Sequence, residues 1–295
     1  MVWKPQRNMD GEAAVALLSR GALEATRLAR ENSHPRDARV TFEEASHVYS
    51  VDGVPLDVSV TGVLKEVERE PFHAEAVAAK LAARPTASYN AGVDPATGAW
   101  LPLAAPDILK SWDANRDLGT HLHGCLERHL NGLPTAPEAV ADEFGQGLRW
   151  LATCGMTPFR TEWVIFDEVA GVAGSVDFVG KHPDGTLGIV DWKRCKHGDR
   201  SFFAHWKGAN MLPPLDHLPE CKLSHWHAQV NLYRIMLERR YDVRVSTMCM
   251  VAMMPGQTEA VEYVHRRDDA VAALLDRRCA APTVAAAAAV CAGTE

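Results

Sequence analysis

Seven cysteines are scattered through the 295 residues without a single C-x-x-C pair. That absence argues against a structural zinc site, although His225 and His227 beside Cys221 keep a zinc alternative open. An odd, scattered set of cysteines with no signal peptide reads as a reduced, intracellular, soluble protein with buried thiols. No apolar run reaches the roughly 20 residues that a membrane span requires. The N-terminal helical sequence carries Arg20, Arg27 and Arg30, but Asp10, Glu12, Glu24 and Glu31 interrupt it. Import peptides are poor in acids, so no targeting segment is read there. No internal repeat is evident. Positive charge is also short: the formal net charge is −7 at pH 7, which excludes long-range attraction of a polyanion by the chain as a whole.

With 47% hydrophobic residues, the chain can bury a sizeable core. Residues 10–31 have helical spacing and end before Asn32-Ser33-His34-Pro35, and residues 38–60 read as a hairpin turning at Asp52-Gly53, with Thr61 as cap of the next helix. The stretch Arg84–Pro106, rich in Ala, Pro and Gly, reads as a loop or linker. These features divide the chain into an N-terminal helical and hairpin extension (1–105), a core (106–270) and an Ala-rich tail (271–295).

Within the core, two β-prone runs flank a His182-Pro183-Asp184-Gly185 turn. The first carries Gly174-Ser175-Val176-Asp177 and the second Asp191-Trp192-Lys193. Strand side chains alternate faces, so Asp191 and Lys193 point one way and Trp192 the other. Two carboxylates and an ammonium can then converge, as phosphodiester hydrolysis with a hard divalent cation requires. The same residues could equally form a solvated surface pair.

Upstream, Leu118, Leu122, Cys125, Leu126 and Leu130 follow the spacing of an amphipathic helix closed by Gly132 and Pro134. His123 and Glu127 lie one turn apart and off that stripe, so both can face a common site with Arg116 and Thr120, or simply form a polar face. His121 and His129 read as structural. Downstream, Ser224–Glu238 is apolar around most of a helix, which implies burial on several sides. Gln229 and Tyr233 there are either a structural hydrogen-bonded pair or a pair facing a phosphate. Lys193, Arg194, Lys196, Arg200 and Lys207 form a local basic run interleaved with Trp192, Phe202, Phe203 and Trp206. Those aromatics either stack bases or fill the core. Met211–Leu215 is a break that could flank a substrate path.

Taken in order, G-T-x-x-H-x-x-x-E, G-x-x-D, D-x-K and Q-x-x-x-Y resemble the RecB-type branch of the PD-(D/E)xK nucleases. They resemble most the group of the mitochondrial genome maintenance exonuclease and related phage and large-virus exonucleases. His47-Val48-Tyr49 and Val58-Ser59-Val60-Thr61 add to the resemblance. It implies a restriction-endonuclease-like α/β core, a central mixed sheet flanked by helices. It also implies magnesium or manganese held by His123, Asp177, Asp191 and the carbonyl of Trp192. Asp177, Asp191, Lys193, Gln229 and Tyr233 would carry catalysis, Glu127 and Glu162 would support it, and Ser59, Thr61, Arg116, Thr120, Arg194 and Lys196 would contact nucleic acid. The iron–sulfur cluster of some relatives is not expected, for want of a C-x-x-C. The expected activity is DNA cleavage, foremost from the ends of single strands, in replication, repair or recombination. An endonuclease, an RNA-directed nuclease or a binding-only scaffold are the alternatives, and no membrane partner is implied.

Overall fold

The computed structural model describes residues 26–83, 91–93, 100–195 and 208–280. After a short helix α1 (Arg27–Glu31), strands β1 (Val40–Glu43), β2 (Val48–Val51) and β3 (Val54–Pro55) form a small antiparallel sheet. Its second hairpin turns at Asp52 and Gly53, at φ of 50° and 80°, so the Asp-Gly pair takes the left-handed turn the sequence suggests. Strand β4 (Val58–Ser59) leads into α2 (Val60–Lys65), and α3 (Ala74–Ala83) follows. The cap of α2 is Ser59, whose hydroxyl accepts from Gly62 N at 3.1 Å, and not Thr61. Part of the expected linker is a ribbon of β5 (Ala91–Val93) and β6 (Trp100–Pro102). Next come α4 (Ala105–Leu130), α5 (Ala141–Thr153), β7 (Thr157–Asp167), β8 (Val172–Lys181), β9 (Leu187–Arg194), α6 (Lys222–Arg240), β10 (Val245–Met253), β11 (Val261–Val264) and α7 (Ala272–Ala280).

The central sheet is mixed and flanked by helices. β11 and β10 are antiparallel, β10 and β9 parallel, β9 and β8 antiparallel, and β8 also pairs with β7 and β4. On one face, Ile189, Val176 and Met248 pack with Val60 and Val63 of α2, Val230 to Leu237 of α6, and Leu274 and Leu275 of α7. On the other, Phe178, Val190, Trp192 and Val251 pack with Leu122 and Leu126 of α4 and with Phe144 and Trp150 of α5. Each fully buried leucine of this kind contributes about 1.5–3 kcal/mol. α6 is buried on several sides, as its apolar circumference predicts. The core reaches outside 106–270, since α2 and the leucines of α7 belong to it. Met211 and Leu215 lie in that same core. Most of the 10–31 helix and most of the Ala-rich tail lie outside the described residues.

α4 ends at Asn131, ahead of Gly132 at φ 73°. Asn131 accepts from the buried Leu28 N at 3.0 Å and donates to Glu127 O and Thr161 Oγ1. One side chain thus joins α1, α4 and β7. Replacing it by alanine orphans a buried N–H, at a cost of about 1–3 kcal/mol. Asn131→Ala should therefore lower the melting temperature by several degrees, at roughly 2–4 °C per kcal/mol. Thermal unfolding indistinguishable from the parent would show that the joint is dispensable.

Candidate metal centre

β8 is paired along its whole length on one edge, by β7. On its other edge β4 covers Val172 and Ala173, and β9 covers only Phe178 to Lys181. Gly174-Ser175-Val176-Asp177 therefore lies in a notch between two strands. β9 continues past Val190 alongside β10 alone. In place of the missing ladder, the Asp177 carboxylate accepts from Trp192 N at 2.8 Å.

The sequence prepares this break. Val176 and Val179, three residues apart, both face the α6 side, whereas Phe178 faces α4. The alternation inverts at Asp177. On the neighbouring strand Glu162 falls between the pairs Trp163↔Val176 and Thr161↔Phe178 and has φ of 43°. A left-handed glutamate in a strand costs of order 1–3 kcal/mol and turns its side chain out of the regular alternation. Its carboxylate accepts from Ser175 Oγ at 3.0 Å.

Helix α4 brings His123 to the notch. His123 Nε2 donates to the Trp192 carbonyl at 2.9 Å. Nδ1 lies 3.7 Å from Asp177 Oδ2 and 3.8 Å from Glu162 Oε1. His123, Glu162 and Asp177 offer donor atoms within 4.8 Å of one another. Asp191 faces the α6 side and pairs with Lys193 through Oδ2 and Nζ at 2.7 Å. Trp192 turns the opposite way, as strand alternation requires, and lies between Trp150 and Phe178.

α6 supplies the remaining wall. Gln229 Nε2 donates to Tyr233 OH at 3.2 Å, and Tyr233 closes over Gly174. A Cβ at Gly174 would sit 2.9 Å from Tyr233 Cε1 and 3.0 Å from Val60 Cγ2, so only glycine lets helix and strand approach this closely. Lys193 Nζ lies 5.9 Å from the centre of the Trp226 ring.

The charges are strongly coupled. Burial opposes the His123 imidazolium, but the carboxylates of Asp177 and Glu162 outweigh it and hold its pKa at about 9. Burial, aided by Glu162, raises the Asp177 carboxyl. Burial and the nearby Asp177 push Asp191 up to about 6 against the pull of Lys193. Burial opposes the Lys193 ammonium, yet Asp191 and Asp177 raise its pKa. Burial and Asp177 keep Tyr233 protonated, well above the usual phenol range. Burial pushes Tyr49 up to about 12, with Glu162 adding to it, which brings the H-x-Y tyrosine within electrostatic reach of the cluster.

The structure therefore groups His123 and Asp177, with the Trp192 carbonyl on His123. Asp191, paired with Lys193, is not among the three grouped donors and is linked to Asp177 through its charge, and the Gln229–Tyr233 pair closes over Gly174. Glu162, expected only in support, stands with the donor atoms. The sequence signal for it is an acid in Thr161-Glu162-Trp163 on the strand beside G-x-x-D, whose Ser175 is its hydrogen-bond partner. Glu127 is buried one turn along α4 and is not among the three grouped donors. Arg194 turns inward to Glu143 at 2.8 Å and Asn115 at 2.5 Å, so its guanidinium is not offered to a strand. Ser59 and Thr61 bond each other at 3.0 Å beside β8. Thr120 and Arg116 are exposed on α4, where Arg116 pairs with Asp113 and Asp117. Trp192 is core and cannot stack a base. Lys196, Arg200, Phe202, Phe203, Trp206 and Lys207 lie outside the described residues.

The His123 shift predicts a pH dependence in chelator. The folded chain keeps this proton up to about pH 9, and an unfolded imidazole releases it near 6.5. Because the folded state then holds more protons, stability falls as pH rises through that window. Asp191 adds a lower window of the same sign, between 3.8 and about 6. Melting temperatures in EDTA should decline between pH 6.5 and 9 in the parent, with the decline flattened in His123→Gln. Parallel slopes would assign the proton elsewhere.

No protein-family model matches this chain, and no curated protein sequence matches it. Solved structures are similar over part of their length, two of them as follows. The crystal structure of SSO0001 shares 18% identity over 49% of this chain and 59% of its own, with a TM-score of 0.27. A crystal structure from Eubacterium rectale named "Putative exonuclease" shares 12% identity over 55% of this chain and 64% of its own, with a TM-score of 0.34. This chain spans less than two thirds of either, and likeness at this level carries no argument about activity.

Proposed function

We propose that this protein is a divalent-metal-dependent nuclease of the PD-(D/E)xK type that hydrolyses DNA phosphodiester bonds from the ends of single strands. The observation that carries the reading is the notch itself. Asp177, His123 and Glu162 gather where two strands separate, the Asp191–Lys193 pair is coupled to Asp177 by charge, and the Gln229–Tyr233 pair closes over the neighbouring Gly174.

The residues fit a hard cation. Asp177 and Glu162 would supply carboxylate oxygens and His123 an imidazole, the three donors grouped within 4.8 Å, with Asp191 as a further carboxylate, a donor set suited to magnesium or, with the nitrogen, manganese. The Trp192 carbonyl, now bonded to His123, is a fifth donor in reach. Such an ion, when bound, lowers the pKa of a coordinated water and offsets charge developing on phosphate.

The chain's own groups do the rest. Lys193 stays an ammonium, held by Asp191, and supplies a compact positive charge for the pentacoordinate transition state. Tyr233 accepts from Gln229, so its own proton is free to donate to a non-bridging phosphate oxygen, and burial keeps that proton in place. Ser175 and the strained backbone at Glu162 hold that carboxylate in position. α2 and α4 flank the notch, an arrangement that suits a threaded strand better than a duplex.

Asp177→Asn, Asp191→Asn and Lys193→Ala should each reduce cleavage by at least about 100-fold while leaving a cooperative melt. Chelation should abolish cleavage, and magnesium or manganese should restore it. Linear single-stranded DNA should be shortened while closed circles of the same sequence and blunt duplexes persist. Comparable loss of circles would instead identify an endonuclease. Parent-like turnover in any folded variant would remove that residue from the mechanism.

A further inference from the structure

Phe72 and Trp112 form an aromatic pair at the surface, with ring centroids 5.9 Å apart and planes tilted by 47°. Phe72, in the turn before α3, is 59% exposed. Trp112, in the N-terminal half of α4, is half-buried. A large aromatic left this open gains nothing from the core, and neither residue touches the metal-ligand cluster.

Their place on α4 gives the pair a direction. Trp112 precedes His123 by eleven residues, about three turns, so the two side chains leave the helix within about 20° of each other and about 16 Å apart along its axis. Arg116 lies on the same row between them, about 10 Å from His123. It is held by Asp113 and Asp117 at 2.9 and 3.6 Å and remains 69% exposed. Exposed pairs of this kind are weak, so the guanidinium can exchange its carboxylates for a phosphate at little cost. One row of α4 thus presents an aromatic platform, a cation and a metal-ligating histidine in that order. The span of about 16 Å corresponds to no more than about five nucleotides at the stacked spacing of about 3.4 Å, and to fewer in an extended strand.

We propose that Phe72 and Trp112 are a stacking platform for an unpaired nucleobase of the strand whose backbone runs along α4, past Arg116, to the metal centre. The inference rests on the nuclease reading for the direction of the strand. Its occupant is a base because the pair offers two π-faces and only one hydrogen-bonding group, the Trp112 indole N–H, which suits sequence-tolerant stacking.

The test is binding of a dye-labelled oligothymidylate by fluorescence anisotropy in EDTA, where cleavage is off. Trp112→Ala and Phe72→Ala should each weaken binding by about 5- to 150-fold, the range for losing one stacked base, and Trp112→Phe should restore most of it. The parent should bind an abasic strand of equal length correspondingly worse, a measurement that needs no variant to fold. Hydrolysis of bis(p-nitrophenyl) phosphate with manganese, a substrate too small to reach the platform, should be the same in parent and variants. Unchanged strand affinity in both alanine variants, or equal binding of the abasic strand, would overturn the proposal. So would a change in sedimentation without a change in strand affinity, which would make the patch a protein contact. A parent that binds through the platform but hydrolyses neither substrate would leave the platform standing and remove the nuclease reading.

Discussion

The hydrogen bond from Trp192 N to the Asp177 carboxylate is where this structure departs from a regular sheet. Beyond Phe178 and Val190 the two middle strands no longer exchange main-chain bonds, and a side chain takes over one main-chain role. The substitution keeps the buried N–H satisfied, as a core strand demands, while the strands stand far enough apart to admit other groups. Every feature of the candidate site follows from that separation. His123 reaches the Trp192 carbonyl from one side of the sheet, Asp191 and Lys193 face the other, and on that edge the Gly174 segment has no strand partner between β4 and β9.

Concentrating charge in such a place has an electrostatic cost that the local chemistry only partly offsets. Three carboxylates share the notch with one imidazole and one ammonium, and burial raises two of the three carboxyls. Buried ion pairs seldom repay their desolvation. A fold selected for stability alone would place apolar side chains here. The backbone of Glu162 adds strain of its own. A further cation would relieve the repulsion among the acids, and this is the physical basis of the proposed metal site.

Much of this was legible in the sequence because it depends on local periodicity. The hairpin at His182–Gly185, the apolar stripe of α4, the burial of α6 and the opposed faces of Asp191 and Trp192 all follow from strand or helix spacing. The failures are equally physical. The basic run and the resemblance assign Arg194 to nucleic acid, yet strand alternation alone places it on the side of Trp192, where it meets Glu143. Glu162 was underweighted because its position depends on a left-handed backbone angle and on the register of β7 against β8, neither of which a pattern reveals. Met211 to Leu215 looks like a loop by its prolines, and its hydrophobic residues disappear into a core formed by segments far away in sequence. Ser59 rather than Thr61 caps α2 because β4 ends there.

β9 past Val190 has a single neighbour, and that neighbour is made late. The acids, the lysine and the histidine all precede residue 195, but β10, which holds the far half of β9 in register, spans Val245–Met253. During synthesis the chemical groups therefore leave the ribosome well before the strand that aligns them, and α6 with Gln229 and Tyr233 must be packed in between. A growing chain that already contains every acidic group lacks their geometry.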